Sequence, residues 1–126
     1  MKKNTLEKTL TTIILLIYIL LMFRLGTMPD INEQIPGAIF LPASLKHILG
    51  MSGLIAVFNV WAKTFSLKNY IIYSIIFASI IGLLIEIIQL QIPYRHFSYL
   101  DLIYNSIGIV LGLILIWPII KKIFSI

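Results

Sequence analysis

Few side chains in this 126-residue sequence are equipped for chemistry, and they fall in a small number of groups. Lys46 and His47 stand together, Glu86 and Gln89 lie one helical turn apart, and Arg95, His96, Ser98, Asp101 and Asn105 follow. A carboxylate and an imidazole can exchange protons with a substrate, so Glu86 and His47 are the candidate catalytic groups. A planar guanidinium such as that of Arg95 holds a carboxylate or phosphate at two points, and Lys46 adds a point charge. Gln89, Ser98 and Asn105 offer directional hydrogen bonds, and Asp101 offers a second anion. No activated nucleophile is visible, because Ser98 has no base at motif spacing and there is no cysteine. The spacing of His47 and His96 to Glu86 and Asp101 matches no compact ligand pattern such as H-E-x-x-H, so no metal is expected. Neither G-x-G-x-x-G nor a phosphate-binding loop occurs, and no cofactor is expected.

These residues gain meaning from helical geometry. At about 100° per residue, Gly82, Glu86 and Gln89 fall within about 60° of one another, so acid and amide share a stripe with a glycine below them. Asp101, Asn105, Gly108 and Gly112 fall in an equally narrow arc of about 60°. The polar end of that second stripe continues as a G-x-x-x-G groove that lets another helix backbone come close. Gly82, Gly108 and Gly112 are therefore read as helix-packing positions.

The elements that must carry these stripes are membrane helices. The sequence is 60% hydrophobic and 12% charged, with a mean hydropathy of +1.01, whereas a soluble domain is roughly half apolar and about a quarter charged. Four apolar runs, at about 9–25, 45–62, 70–90 and 101–120, each approach the ~20 residues that cross a ~30 Å hydrocarbon core as helix. They are apolar on all sides and lack the two-residue alternation of a membrane barrel. The expectation is an all-α polytopic membrane protein, a bundle of four transmembrane helices forming one domain over residues 1–126. The second run is the least apolar, since it carries Lys46, His47 and Asn59. The first, behind Lys2 and Lys3, imitates a secretory signal, but no A-x-A-like site follows and it is read as an anchor. Residues 26–44, with Pro29, Pro36, Pro42, Gly26 and Gly37, read as an irregular loop.

Charge sets the expected topology. Lys2, Lys3, Lys8, Lys63, Lys68, Lys121 and Lys122 flank one side of the spans, and Arg24, Lys46 and Arg95 the other. The positive-inside rule then puts both termini in the cytoplasm and the polar stripes at the outer end. The net charge of +5 is spread between apolar runs rather than gathered on one face, which argues against nucleic acid as a partner. The partner expected instead is the lipid bilayer.

Each chemical reading has a structural counterpart. Glu86 is either a residue at the water boundary or a buried acid, which must then take up a proton or find a cation. Arg95 either pairs with Glu86 or Asp101 inside the protein or holds a ligand. Asp101 and Ser98 also suit a helix start. Asn105 serves equally as an interhelical hydrogen bonder, and the glycine faces as contacts between copies of the chain. Tyr94, Tyr99, Tyr104, Trp61 and Trp117 fit aromatic belts at the membrane surfaces.

The run Glu86-x-x-Gln89, Pro93-Tyr94-Arg95, Ser98, Asp101, Asn105, Gly108 and Gly112 resembles the signature of the VanZ-like family of small bacterial membrane proteins. That pattern reads E-x-x-Q, P-G-R, S, D, N, G and G at these spacings, and Lys46-His47 is similar to the family's Lys/His element. Tyr94 stands where the family usually has glycine, and Gly50-Met51 replaces an acid-aromatic pair. The resemblance implies a multi-pass protein of the bacterial cytoplasmic membrane and, through the family's named member, a link to tolerance of teicoplanin, a lipid-bearing glycopeptide antibiotic. Three functions follow as expectations. The first is an outer-face polar pocket, formed by Lys46, His47, Glu86, Gln89, Arg95, Ser98, Asp101 and Asn105, that binds an anionic or amphiphilic envelope component: a lipid headgroup, a cell-wall precursor or a lipoglycopeptide. The second is a membrane enzyme acting on a lipid-linked cell-wall precursor. The third is a structural or assembly role.

Overall fold

In hydrocarbon every backbone N–H and C=O must find its partner within its own segment, so long apolar runs become helices. The computed structural model describes residues 3–27, 43–92 and 99–126. They form α1 (Lys3–Thr27), α2 (Ala43–Thr64), α3 (Tyr70–Gln89) and α4 (Tyr99–Leu111), then a π-helical turn (Gly112–Ile116) and α5 (Trp117–Phe124). No strand occurs among the described residues. The last three pieces run on as one span, Tyr99–Phe124, and with Asn4–Thr27, Ser44–Thr64 and Tyr70–Gln89 they make four helices long and apolar enough to cross a membrane. The chain is therefore an all-α, multi-pass membrane protein. Most of the loop read at residues 26–44 lies outside the described residues.

The helices outrun their apolar runs: α1 starts at Lys3 and the last span reaches Phe124. Helical hydrogen bonding carries on past the edge of the hydrocarbon, so polar flanks join the same helix. The interruption at Gly112–Ile116 has a local cause. Pro118 offers no N–H to the turn before it and its ring crowds the carbonyl four residues back. Just ahead of it the helix widens, with the Trp117 N–H bonded to the Gly112 carbonyl five residues earlier.

Contacts fix an up-down-up-down arrangement. Tyr18 on α1 donates to the Gly50 carbonyl on α2 at 2.8 Å, and Trp61 further along α2 donates to Thr12 Oγ1 at 3.0 Å, so α1 and α2 are antiparallel. Phe58 on α2 stacks on Phe77 of α3 with ring centroids 4.9 Å apart. The short link between these two helices closes with Ser66 at φ 54°. Its neighbour Leu67 donates to the Ala62 carbonyl at 3.0 Å, ending α2 in a left-handed cap.

The least apolar span, α2, is the most buried of the four. It sits between the other three helices and supplies Met51, Leu54, Ile55, Phe58 and Ala62 to a core completed by Leu15, Ala78, Ile81, Ile85 and Ile109. Polar residues are tolerable in α2 because they face protein rather than lipid. The closest seam is between α2 and α4. A Cβ on Gly108 would stand 2.6 Å from the Ile48 carbonyl oxygen, and one on Gly112 would stand 3.0 Å from the Ser52 Cα and the Ile55 Cβ. Trp117 corrects the aromatic-belt reading: it is buried and meets Tyr70 edge-on, centroids 5.8 Å apart.

Candidate functional site

Three helices deliver polar groups to one end of the bundle. His47 lies one turn into α2, Glu86 one turn short of the end of α3, and Asp101 in the first turn of α4 with Asn105 one turn further on. What lets them meet is the small side of α3. A Cβ on Gly82 would come within 3.0 Å of Asn105 Nδ2 and 2.9 Å of Met51 Cε. With hydrogen there instead, α4 and α2 close over the stripe that carries Glu86. On the α4 side, Gly108 brings Ile48 into backbone contact, which sets His47 beside Asn105 and Asp101.

The histidine is the hub. Its Nδ1 is 2.8 Å from Asn105 Oδ1, and its Nε2 is 3.4 Å from Asp101 Oδ1. An amide oxygen only accepts, so Nδ1 carries the hydrogen of that bond. The imidazole thus has one edge anchored by an amide and the other turned to a carboxylate. Glu86 completes the group: one donor atom from each of His47, Glu86 and Asp101 lies within 4.8 Å of the others. Glu86 is wholly buried, whereas His47 and Asp101 keep 18% of their side-chain surface open. The cluster therefore has a deep acid and a shallower His-Asp edge. The boundary reading of Glu86 does not survive its complete burial.

The remaining sequence candidates divide. Gln89 is buried but faces α1, donating from Nε2 to the Gly26 carbonyl at 2.5 Å. It ties the ends of α1 and α3 together and stands apart from the His47 hub in this respect. Lys46 is exposed on α2, beside the hub. Arg95 and Ser98, together with His96, lie outside the described residues. Asp101 stands in the first turn rather than at the cap, where its charge still favours the helix dipole.

Two features escaped the linear reading. Tyr18 seats its hydroxyl on the Gly50 carbonyl and its ring against Gly53, bracing α2 one turn beyond His47. The signal was a lone tyrosine in the middle of an apolar run, whose hydroxyl in hydrocarbon has to find an acceptor. The pairing of His47 with Asn105, 58 residues away, left no trace in sequence spacing.

A family model described as VanZ/LLP1 matches residues 6–122, nearly the whole chain. The chain belongs to the VanZ/LLP1 family. Searches among curated proteins and among solved structures gave no match. The matched region contains every helix that builds the cluster, so the VanZ/LLP1 assignment and the geometry concern the same part of the molecule. Membership fits a membrane protein connected with glycopeptide resistance, and it leaves the ligand and the reaction to be argued from the residues.

Proposed function

We propose that this protein is a multi-pass protein of the bacterial cytoplasmic membrane whose polar pocket, at the outer end of a single domain, binds the headgroup of an anionic or amphiphilic envelope component. The consequence would be altered tolerance of lipid-bearing glycopeptides. The observation that carries the reading is the convergence of His47, Glu86, Asp101 and Asn105 from three helices onto one point under an otherwise apolar surface. Ionisable side chains within spans are costly and are kept where they face protein or a substrate path. Orientation is supported by Lys8, Lys63, Lys68, Lys121 and Lys122, all on helix ends or turns opposite the cluster, which the positive-inside rule assigns to the cytoplasm. In this reading Lys46 and Arg95 draw in the anion, and His47, Asp101, Asn105 and Ser98 orient it. Gln89 acts from behind by holding α3 to α1.

The test is binding of lipid II and of anionic phospholipid to the full chain in nanodiscs, with teicoplanin susceptibility measured in parallel. His47→Ala and Arg95→Ala should each weaken binding while the helical content is kept. Unchanged binding in both folded variants would sink the pocket.

A second reading, an enzyme acting on a lipid-linked precursor, is favoured by one specific observation: His47 has its ring anchored at Nδ1 by Asn105, with Nε2 turned to Asp101. An imidazole held in this way, with a buried carboxyl beside it, is arranged to move a proton to or from a bound headgroup. Water or a substrate group would be the attacking atom. Turnover of labelled precursor by the purified protein, abolished in Glu86→Gln, would select this reading over simple binding.

A further inference from the structure

We infer that His47, Glu86 and Asp101 form a binding site for a single divalent transition-metal ion such as Zn²⁺. The inference concerns the same cluster as the proposed pocket but does not depend on what lipid, if any, that pocket takes.

The argument begins with the histidine. Because Asn105 Oδ1 accepts the hydrogen on Nδ1, the neutral ring presents the lone pair of Nε2 toward Asp101 Oδ1. Two lone pairs facing each other repel, and a cation between them removes the repulsion. The separation is 3.4 Å. That is the spacing two ligand atoms adopt around one ion: arms of about 2.0–2.1 Å at the tetrahedral angle put neighbouring donors about 3.3 Å apart.

The third donor comes from Glu86, which brings a carboxylate oxygen within 4.8 Å of both others, from a different helix and from the protected side; it has to draw in by up to about 1.5 Å to share one ion with them. One imidazole and two carboxylates are a hard-to-borderline donor set that suits Zn²⁺ and its neighbours. Two carboxylate charges balance one divalent ion, so the loaded site is neutral inside an apolar bundle. Asn105 supplies the outer-shell contact that metal-bound histidines usually have, fixing the tautomer with Nε2 free to ligate. Three protein ligands leave a fourth position, on the partly open His47–Asp101 edge, for water or for a phosphate oxygen. Chain spacing concealed this set, since its members lie 39 and 15 residues apart along the sequence. The expectation of no metal rested on that spacing.

The experiment uses untagged, full-length protein in nanodiscs, stripped with a chelator and titrated with Co²⁺ as a spectroscopic probe. The expected result is one Co²⁺ per chain with the intense visible bands of a four-coordinate ion, displaced by Zn²⁺. Asp101→Asn and His47→Ala should weaken binding by more than about 100-fold, and Asn105→Ala by about 10–100-fold, the range for outer-shell partners. Helical circular dichroism confirms that the variants are folded, and X-ray absorption of the wild-type complex gives a variant-free check for one imidazole in the first shell. Wild-type protein that takes up no stoichiometric Co²⁺, or that keeps its affinity in folded Asp101→Asn and His47→Ala, overturns the site. Lipid binding by the chelator-stripped protein is scored separately, because the pocket reading fails only if His47→Ala and Arg95→Ala both leave lipid binding unchanged.

Discussion

The two ends of the bundle both carry polar side chains, but they use them in opposite directions. At the end where α1 begins and α2 finishes, polar tips lie along the outside. Lys8 rests 5.4 Å from the centre of the Phe65 ring and Lys63 5.5 Å from that of Tyr70, and Trp61 bonds to Thr12 on the flank. Ammonium groups lie over aromatic rings on the outside of the bundle, a pairing suited to a membrane boundary. At the other end Glu86, His47, Asp101 and Asn105 turn inward and meet one another. A boundary alone does not require this. Burying a carboxyl costs free energy that an outward lysine never incurs, so the inward cluster points to a task and the outward one to anchorage.

The strongest way to break this contrast is to remove the closeness on which the inward cluster depends. Gly108→Val places a side chain where a Cβ already meets the Ile48 carbonyl at 2.6 Å and Met51 Cβ at 2.8 Å. Backbone on the α2 side has no room to give. Overpacking of this kind costs about 1–3 kcal/mol, and here the upper part of that range is expected. Thermal unfolding in detergent should show a large loss, together with loss of Co²⁺ and lipid binding. Gly50→Ala is the control: its Cβ would find only Met22 Cε at 3.6 Å, an ordinary contact, and it should change neither.

Next in size is a pair that separates chemistry from anchorage. His47→Ala should abolish binding at the cluster while the helices persist. Lys63→Ala, which removes one exposed cation over a ring, should leave binding unchanged and move stability by less than about 1 kcal/mol. Equal effects on binding from the two substitutions would erase the distinction between the ends.

The sequence carried the four spans, because ~20 apolar residues have few alternatives in hydrocarbon. It also carried the two stripes: Gly82, Glu86 and Gln89 lie buried along α3, and Asn105, Gly108 and Gly112 along the last span. These are short-range properties, set by the 3.6-residue repeat. Which stripe faces which was not legible, because it depends on the diagonal contact of α2 with α4. Hence His47 was legible as a pocket residue but not as the centre of the cluster, and Gln89 read as a ligand group, whereas its amide bonds to the Gly26 carbonyl. The π-helical turn before Pro118 was likewise hidden, since a membrane-spanning helix absorbs proline in several ways.

Between the two ends, Asn59 offers a sharper comparison with Asn105. Both are buried amides, but Asn105 holds the histidine ring, whereas neither Nδ2 nor Oδ1 of Asn59 has a hydrogen-bond partner among the described residues. An unmatched buried amide costs about 1–3 kcal/mol, so replacing it by an apolar side chain of similar volume should be stabilising. Asn59→Leu is expected to raise the unfolding temperature with binding intact. Asn105→Leu should do the reverse, loosening His47 and weakening Co²⁺. A destabilised Asn59→Leu would mean that the amide has work in the apolar half of the bundle.

The smallest effect belongs to Gln89, and it tests whether the site is braced from outside. Its Nε2 bonds to the Gly26 carbonyl at 2.5 Å, and Gly26 packs so closely on Ile85 that a Cβ there would stand 2.8 Å from Ile85 Cγ2. Ile85 precedes Glu86, so this clasp sets the position of the α3 end that carries the buried acid. Side-chain hydrogen bonds between membrane helices average about 0.6 kcal/mol and seldom exceed about 1.7. Gln89→Leu should therefore lower stability only slightly, leave the Co²⁺ spectrum that His47 and Asp101 dominate nearly unchanged, and loosen α3 enough to reduce affinity a few-fold. A Gln89→Leu protein with abolished binding and undiminished stability would place the amide in contact with the ligand itself, and the clasp would no longer be its role.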